Sequence, residues 1–165
     1  MPTAYLSLGS NLEPERHLRE SAAALRERFG DVVFSSVLRA PAVGFEGPDF
    51  LNAAALVETD LEPEVLDGWL HALEARHGRN RAAPRFASRT LDIDIVFYDA
   101  RVIVPRAGSH LQIPRPELEF AFVLQPLAQI APAYRDPRSG RTLADLWSAH
   151  PDRGHPLEEV AGVRL

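Results

Sequence analysis

The stretch Arg89-Thr90-Leu91-Asp92-Ile93-Asp94-Ile95 holds the sharpest chemical pattern in the chain. In an extended strand, residues two apart point to the same face. Asp92 and Asp94 would then present their carboxylates together while Leu91, Ile93 and Ile95 take the other side. Two like charges on one face repel. They persist where water screens them or where a divalent cation sits between them, and Mg²⁺ commonly takes one or two carboxylates together with substrate phosphates. Just upstream, Arg76, Arg79, Arg81, Arg85 and Arg89 fall within 14 residues that contain no Asp or Glu. A guanidinium fork donates two parallel hydrogen bonds to phosphate oxygens. An arginine loop feeding a two-aspartate strand therefore reads as a site for a nucleoside triphosphate and magnesium. Each half also has a plainer reading, as a solvated strand face and a solvated basic loop.

Composition narrows the chemistry. The chain has no cysteine, so disulfides, thiolate nucleophiles and Cys-based metal sites are excluded. All 18 basic residues are arginine, which removes Schiff-base chemistry and any phosphate-loop lysine. A net charge of −5 argues against a general nucleic-acid binder, so an anion must be met by local positive charge. A ferredoxin-like RNA module would interleave aromatic and basic residues on its strands, whereas these arginines are gathered beside two acids. No apolar run is long enough to cross a bilayer, and no signal peptide is readable at the start, so the expected compartment is the cytoplasm. The length of 165 residues fits one domain spanning 1–165, with a peripheral tail over 150–165.

The elements that must position these groups follow from periodicity. Tyr5 to Leu8 reads as a buried strand stopped by Gly9-Ser10-Asn11. Leu18, Ala22 and Leu25 give a helical period from about Pro14 to Phe29, and Gly30 ends it. Residues 32–38 are β-rich, and 40–48, with two prolines and two glycines, read as a loop. A strand over 50–59 leads to a helix that starts at Pro63, carries Val65, Leu66, Trp69, Leu70 and Leu73 on one face, and closes at Gly78. Residues 79–89 lack an apolar period and read as a mobile loop. A strand follows over 91–98, with Ile103 and Val104 pairing back on it. A short helix over 120–130 and a last turn over 143–147 complete the chain. This order predicts an α+β fold with a ferredoxin-like βαββαβ core. It consists of an antiparallel sheet with helices on one face, extended by a C-terminal hairpin and helices.

Several segments together resemble the 6-hydroxymethyl-7,8-dihydropterin pyrophosphokinase family over residues 5 to about 132. They are Tyr5-Leu6-Ser7-Leu8-Gly9-Ser10-Asn11, Pro48-Asp49-Phe50-Leu51-Asn52-Ala53, Glu74 with Gly78-Arg79, Arg89 to Ile95, and Phe122-Val123-Leu124 ahead of Pro126-Leu127. The resemblance implies an enzyme of folate synthesis that moves pyrophosphate from ATP onto the hydroxymethyl group of the dihydropterin, releasing AMP. It implies two Mg²⁺ ions on Asp92 and Asp94, with Arg79 and Arg89 also catalytic. Ala40, Pro41, Val43, Phe50, Asn52 and Phe122 would bind the pterin. His71, Glu74, Arg79, Arg81, Arg85, Arg89, Ile95, His110 and Arg115 would bind ATP. The expected partners are these small molecules alone, with no nucleic acid or membrane, on a monomer. Elementary chemistry agrees in part: a flat heterocycle with polar edges suits aromatic stacking plus an amide that both donates and accepts, and Phe50 and Asn52 share a strand face. Core packing for Phe50 and a strand-end role for Asn52 are the plainer alternatives.

The departures from the family pattern gather on the nucleotide side. Pro114-Arg115-Pro116 stands where the family has Pro-His-Pro, and Phe120 stands where an Arg is usual. Phe86-Ala87-Ser88-Arg89 replaces Trp-Gly-Pro-Arg. Arg115 can donate to a phosphate but cannot act as a neutral imidazole. These changes leave open a second reading, a pterin-binding protein of the same fold with weak or no kinase activity.

Overall fold

The computed structural model describes residues 1–78, 88 and 90–165. The β-strands among them are β1 (Thr3–Ser10), β2 (Val33–Phe34), β3 (Leu38–Ala40), β4 (Phe50–Glu58), β5 (Asp92–Tyr98) and β6 (Glu158–Glu159). The α-helices are α1 (Pro14–Phe29), α2 (Pro63–Arg76), α3 (Ala121–Ile130) and α4 (Leu143–Ser148). The sheet runs β5-β1-β4-β3-β6, with β2 also on β4, and the paired strands are antiparallel. This is the ferredoxin-like arrangement.

Apolar alternation divides the core into two layers. Leu6 and Leu8 of β1, Ala53 and Ala55 of β4, and Ile93 and Ile95 of β5 face the two crossover helices and bury Leu18, Leu25, Leu66 and Leu70. On the opposite face Ala54, Val96 and Phe97 pack against Val123, Leu124 and Leu127 of α3 and Leu143 of α4. The crossover helices thus share one face as expected, and the C-terminal helices cover part of the other. A register shift between Tyr5 and Leu6 leaves Val96 as an extra residue in β5, which brings Val96 and Phe97 together into the second core.

Local differences from the expected elements have local causes. β1 continues through Gly9 and Ser10 because these residues pair with Asn52 and Leu51, and a central strand's ladder outweighs turn propensity. The β-rich stretch at 32–38 splits because the Ser35 hydroxyl accepts the Ala54 N–H at 2.8 Å, standing in for a backbone acceptor. Ile103 does not pair back on β5. Asp99 adopts a left-handed conformation (φ 46°) that turns the chain away, and Ile103 bridges Ile113 to close a hairpin. The segment after His150, expected at the periphery, supplies β6 at the edge of β3 and buries Val163. No described helix is long and apolar enough to cross a membrane.

Leu8 is fully buried between its neighbours on β4 and β5. Leu8→Ala should therefore lower unfolding free energy by about 2–5 kcal/mol in urea titrations. A change within about 0.5 kcal/mol would contradict this packing.

Candidate active site

The site begins with one row across three strands. Gly9 of β1 lies opposite Asn52 on β4 and opposite Asp92 on β5; one step along, Ser7 lies opposite Asp94. Asp92, Gly9 and Asn52 therefore share a face, and at the usual strand spacing the two outer positions stand about 10 Å apart. Gly9 leaves the middle of that row bare. A Cβ there would come within 2.8 Å of Asn52 Oδ1 and 3.7 Å of Phe50 Cδ1, so the missing side chain sets the position of the amide.

Above this floor lies a cavity of about 840 Å³, within the range of small-molecule sites. The loop after β3 contributes Pro41, Val43 and Phe45, with Ala40 at the strand end. Phe45 meets Phe50 edge-on, ring centroids 6.4 Å apart. The start of α3 brings Phe122, stacked on Phe120 at 5.1 Å. α2 contributes Asp67, Gly68 and His71; the hairpin contributes His110 and Leu111; Arg115 and Glu117 follow it. Asn11 braces the rim, its Nδ2 donating to Pro48 O at 3.0 Å and to Ser88 Oγ at 3.2 Å. The buried Asn52 side chain has an Nδ2 with no hydrogen-bond partner among the described residues. A buried donor in a cavity wall calls for an acceptor on a ligand.

A family model described as 7,8-dihydro-6-hydroxymethylpterin-pyrophosphokinase (HPPK) matches residues 5–132. A protein of Synechocystis named 2-amino-4-hydroxy-6-hydroxymethyldihydropteridine pyrophosphokinase is 37% identical over 147 residues, covering 87% of this chain and 73% of that one. One of the same name from Pseudomonas aeruginosa is 35% identical over 165 residues, covering 96% and 97%. The chain belongs to the HPPK family. The fold agrees: the crystal structure of wild-type Plasmodium falciparum HPPK-DHPS superposes with a TM-score of 0.70 at 14% identity, over 92% of this chain. This chain covers 45% of that longer protein.

Of the residues that the HPPK resemblance implied, Ala40, Pro41, Val43, Phe50, Asn52 and Phe122 line the cavity, as do His71, Asp92, Asp94, His110 and Arg115. Two expected nucleotide contacts do not. Ile95 alternates away from Asp94 and packs in the core, and Glu74 is buried in α2 outside the lining. Arg79, Arg81, Arg85 and Arg89 lie outside the described residues. Sequence reasoning missed Phe45, Asp67 and Glu117. Asp67 was within reach, since it sits one helical turn before His71 and pairs with it at 3.4 Å. Phe120, noted in sequence only as a lost arginine, widens the aromatic wall.

The electrostatics of the described lining are acidic. Glu64, Asp67, Asp92, Asp94 and Glu117 outnumber Arg115 and the two histidines. Burial, then the neighbouring Asp92 charge, push the Asp94 carboxyl up to about 7, while Arg115 pulls it down. Arg115 lies between two acids, with Nη2 3.7 Å from Asp94 Oδ1 and Nε 3.4 Å from Glu117 Oε2. A carboxyl raised by burial and by the charge of a second carboxylate beside it is part of a donor set that a hard divalent cation would relieve, so the residues fit Mg²⁺.

Without metal, the raised Asp94 value costs stability as pH rises. The contribution is intact below the ordinary 3.8 and is lost as pH climbs through about 7. In chelator, Asp94→Asn should be more stable than wild type at pH 8 by at most about 4 kcal/mol, and the gap should close toward pH 4. A pH-independent difference in urea melts would contradict this. Gly9→Ala should raise the KM for the pterin roughly tenfold or more by displacing Asn52, with secondary structure unchanged; an unaltered KM would show the floor to be tolerant.

Proposed function

We propose that this chain transfers a pyrophosphoryl group from ATP to the hydroxymethyl oxygen of 6-hydroxymethyl-7,8-dihydropterin, releasing AMP, as a step of folate synthesis. The row Asp92, Gly9, Asn52 carries this reading. It sets a buried amide and a carboxylate about two strand spacings apart, roughly the length of a bicyclic pterin with its one-carbon arm. Membership of the HPPK family supports it, and the relatives give no support to a non-catalytic pterin binder.

In this reading the Asn52 amide takes the polar edge of the pterin, and Gly9 leaves room for the ring to lie over β1. Phe50 and Phe122, with Phe45 at the side, hold its faces and keep water from them. The hydroxymethyl arm then points along the row toward Asp92. Asp92 and Asp94 would hold two Mg²⁺ ions; when bound, these neutralise phosphate charge and lower the pKa of the attacking hydroxyl. Arg115 takes phosphate oxygens from the Asp94 side. Arg79, Arg81, Arg85 and Arg89 close on the triphosphate, and Arg89 stabilises the charge that develops in transfer. Excluding water matters because water would compete as the acceptor.

Asp94→Ala should reduce AMP formation from ATP, Mg²⁺ and the dihydropterin by about 10³-fold or more, with circular dichroism unchanged. Asn52→Ala should raise the pterin KM about 10- to 100-fold, the cost of one buried hydrogen bond, with kcat less affected. Wild-type turnover in the first variant would overturn the metal assignment, and an unchanged KM in the second would overturn the pterin placement.

A further inference from the structure

A second set of metal-ligating side chains stands outside the cavity, where α1 meets the C-terminal end of α2. His17 is 4% exposed, and its Nδ1 lies 2.7 Å from His77 Nδ1. Glu20 Oε2 lies 3.8 Å from that same His77 nitrogen. One ligand atom from each of the three falls within 4.8 Å of the others.

Two Nδ1 atoms this close can share only one proton, so at least one ring is neutral with its lone pair aimed at the other. Burial lowers the pKa of both histidines. Arg16 adds to this at His17, His17 adds to it at His77, and Glu20 opposes it at both. Neutral imidazoles at neutral pH are the form that binds a metal. Glu20 stands one helical turn from His17 on α1, so both reach the same point beside His77. Its side chain is half exposed and, besides His77, is held among the described residues only by a long 3.8 Å contact with Arg16 Nη1, so it can swing inward and leave a fourth position for water.

We propose that His17, Glu20 and His77 form a Zn²⁺ site that ties α1 to the end of α2. Two imidazoles and a carboxylate suit zinc and other late first-row ions, whereas the oxygen-only aspartate pair suits magnesium. Tetrahedral zinc–nitrogen bonds of about 2.0–2.1 Å need the two Nδ1 atoms to part by only roughly 0.6–0.7 Å. The proton now between the Nδ1 atoms moves to the Nε2 of its own ring, so both rings stay neutral. Arg16, whose Nη2 is 3.4 Å from His17 Nε2, then turns fully to Glu13, which it already holds at 2.8 Å. His77 ends α2, and the arginine-rich stretch begins two residues later at Arg79. The ion would therefore fix the point from which that stretch departs.

The test is Zn²⁺ titration of the chelator-stripped full chain, followed by competition with a chromophoric chelator and by imidazole ¹⁵N NMR. One equivalent should bind, shift the Nδ1 resonances of both histidines, and raise the melting temperature. His77→Gln should weaken binding at least about 100-fold. Glu20→Gln, at a half-exposed position that leaves the packing alone, should weaken it about tenfold. Asp92→Asn/Asp94→Asn should leave it unchanged. The proposal is overturned if Zn²⁺ does not bind, if it binds His77→Gln and Glu20→Gln as tightly as wild type, or if binding disappears in the double aspartate variant.

Discussion

The hydrogen-bonded register of β4, β1 and β5 fixes Gly9 between Asn52 and Asp92, and the rest of the site depends on it. Backbone pairing on both sides of the central strand leaves no freedom to slip, since a one-residue shift would turn Leu6 and Leu8 out of the core. The same pairs that bury the apolar face thus aim an amide and two carboxylates into one cavity. Gly9 contributes by having no side chain where the row must stay open.

Around that row the structure separates two environments. Phenylalanines from the loop after β3, from β4 and from the start of α3 form an apolar enclosure around the amide. On the β5 side, acids from the strand, from α2 and from the 3-10 turn at Pro116–Glu119 concentrate negative charge around Arg115. Burial, and then the neighbouring Asp92 charge, raise the Asp94 carboxyl, a local loss of stability at a place where a cation would be bound. Arg115 partly offsets it. Its guanidinium keeps a permanent positive charge beside Asp94.

Much of this was legible in the sequence because strand alternation is a strong rule. Asp92 and Asp94 against Ile93 and Ile95, and Phe50 with Asn52, follow from period two alone, and the structure orients them so. The βαββαβ order was equally readable from helix and strand periods. What escaped were contacts that depend on tertiary docking. Phe45 is one aromatic in an irregular loop, and nothing local says that it meets Phe50. Ser35 breaks a strand through its side chain, and Ile103 pairs with Ile113 after a left-handed turn at Asp99 that no glycine marks. The pairing of His17 with His77, 60 residues apart, has no sequence signature at all.

A crystal structure of the chain with Mg²⁺, an unreactive ATP analogue and 6-hydroxymethyl-7,8-dihydropterin tests the central claim most directly. Both Asp92 and Asp94 should be in contact with metal, the Asn52 amide on the polar edge of the pterin, and the ring lying over Gly9. A complex with the pterin bound elsewhere, or with both carboxylates facing solvent while nucleotide is present, would contradict it.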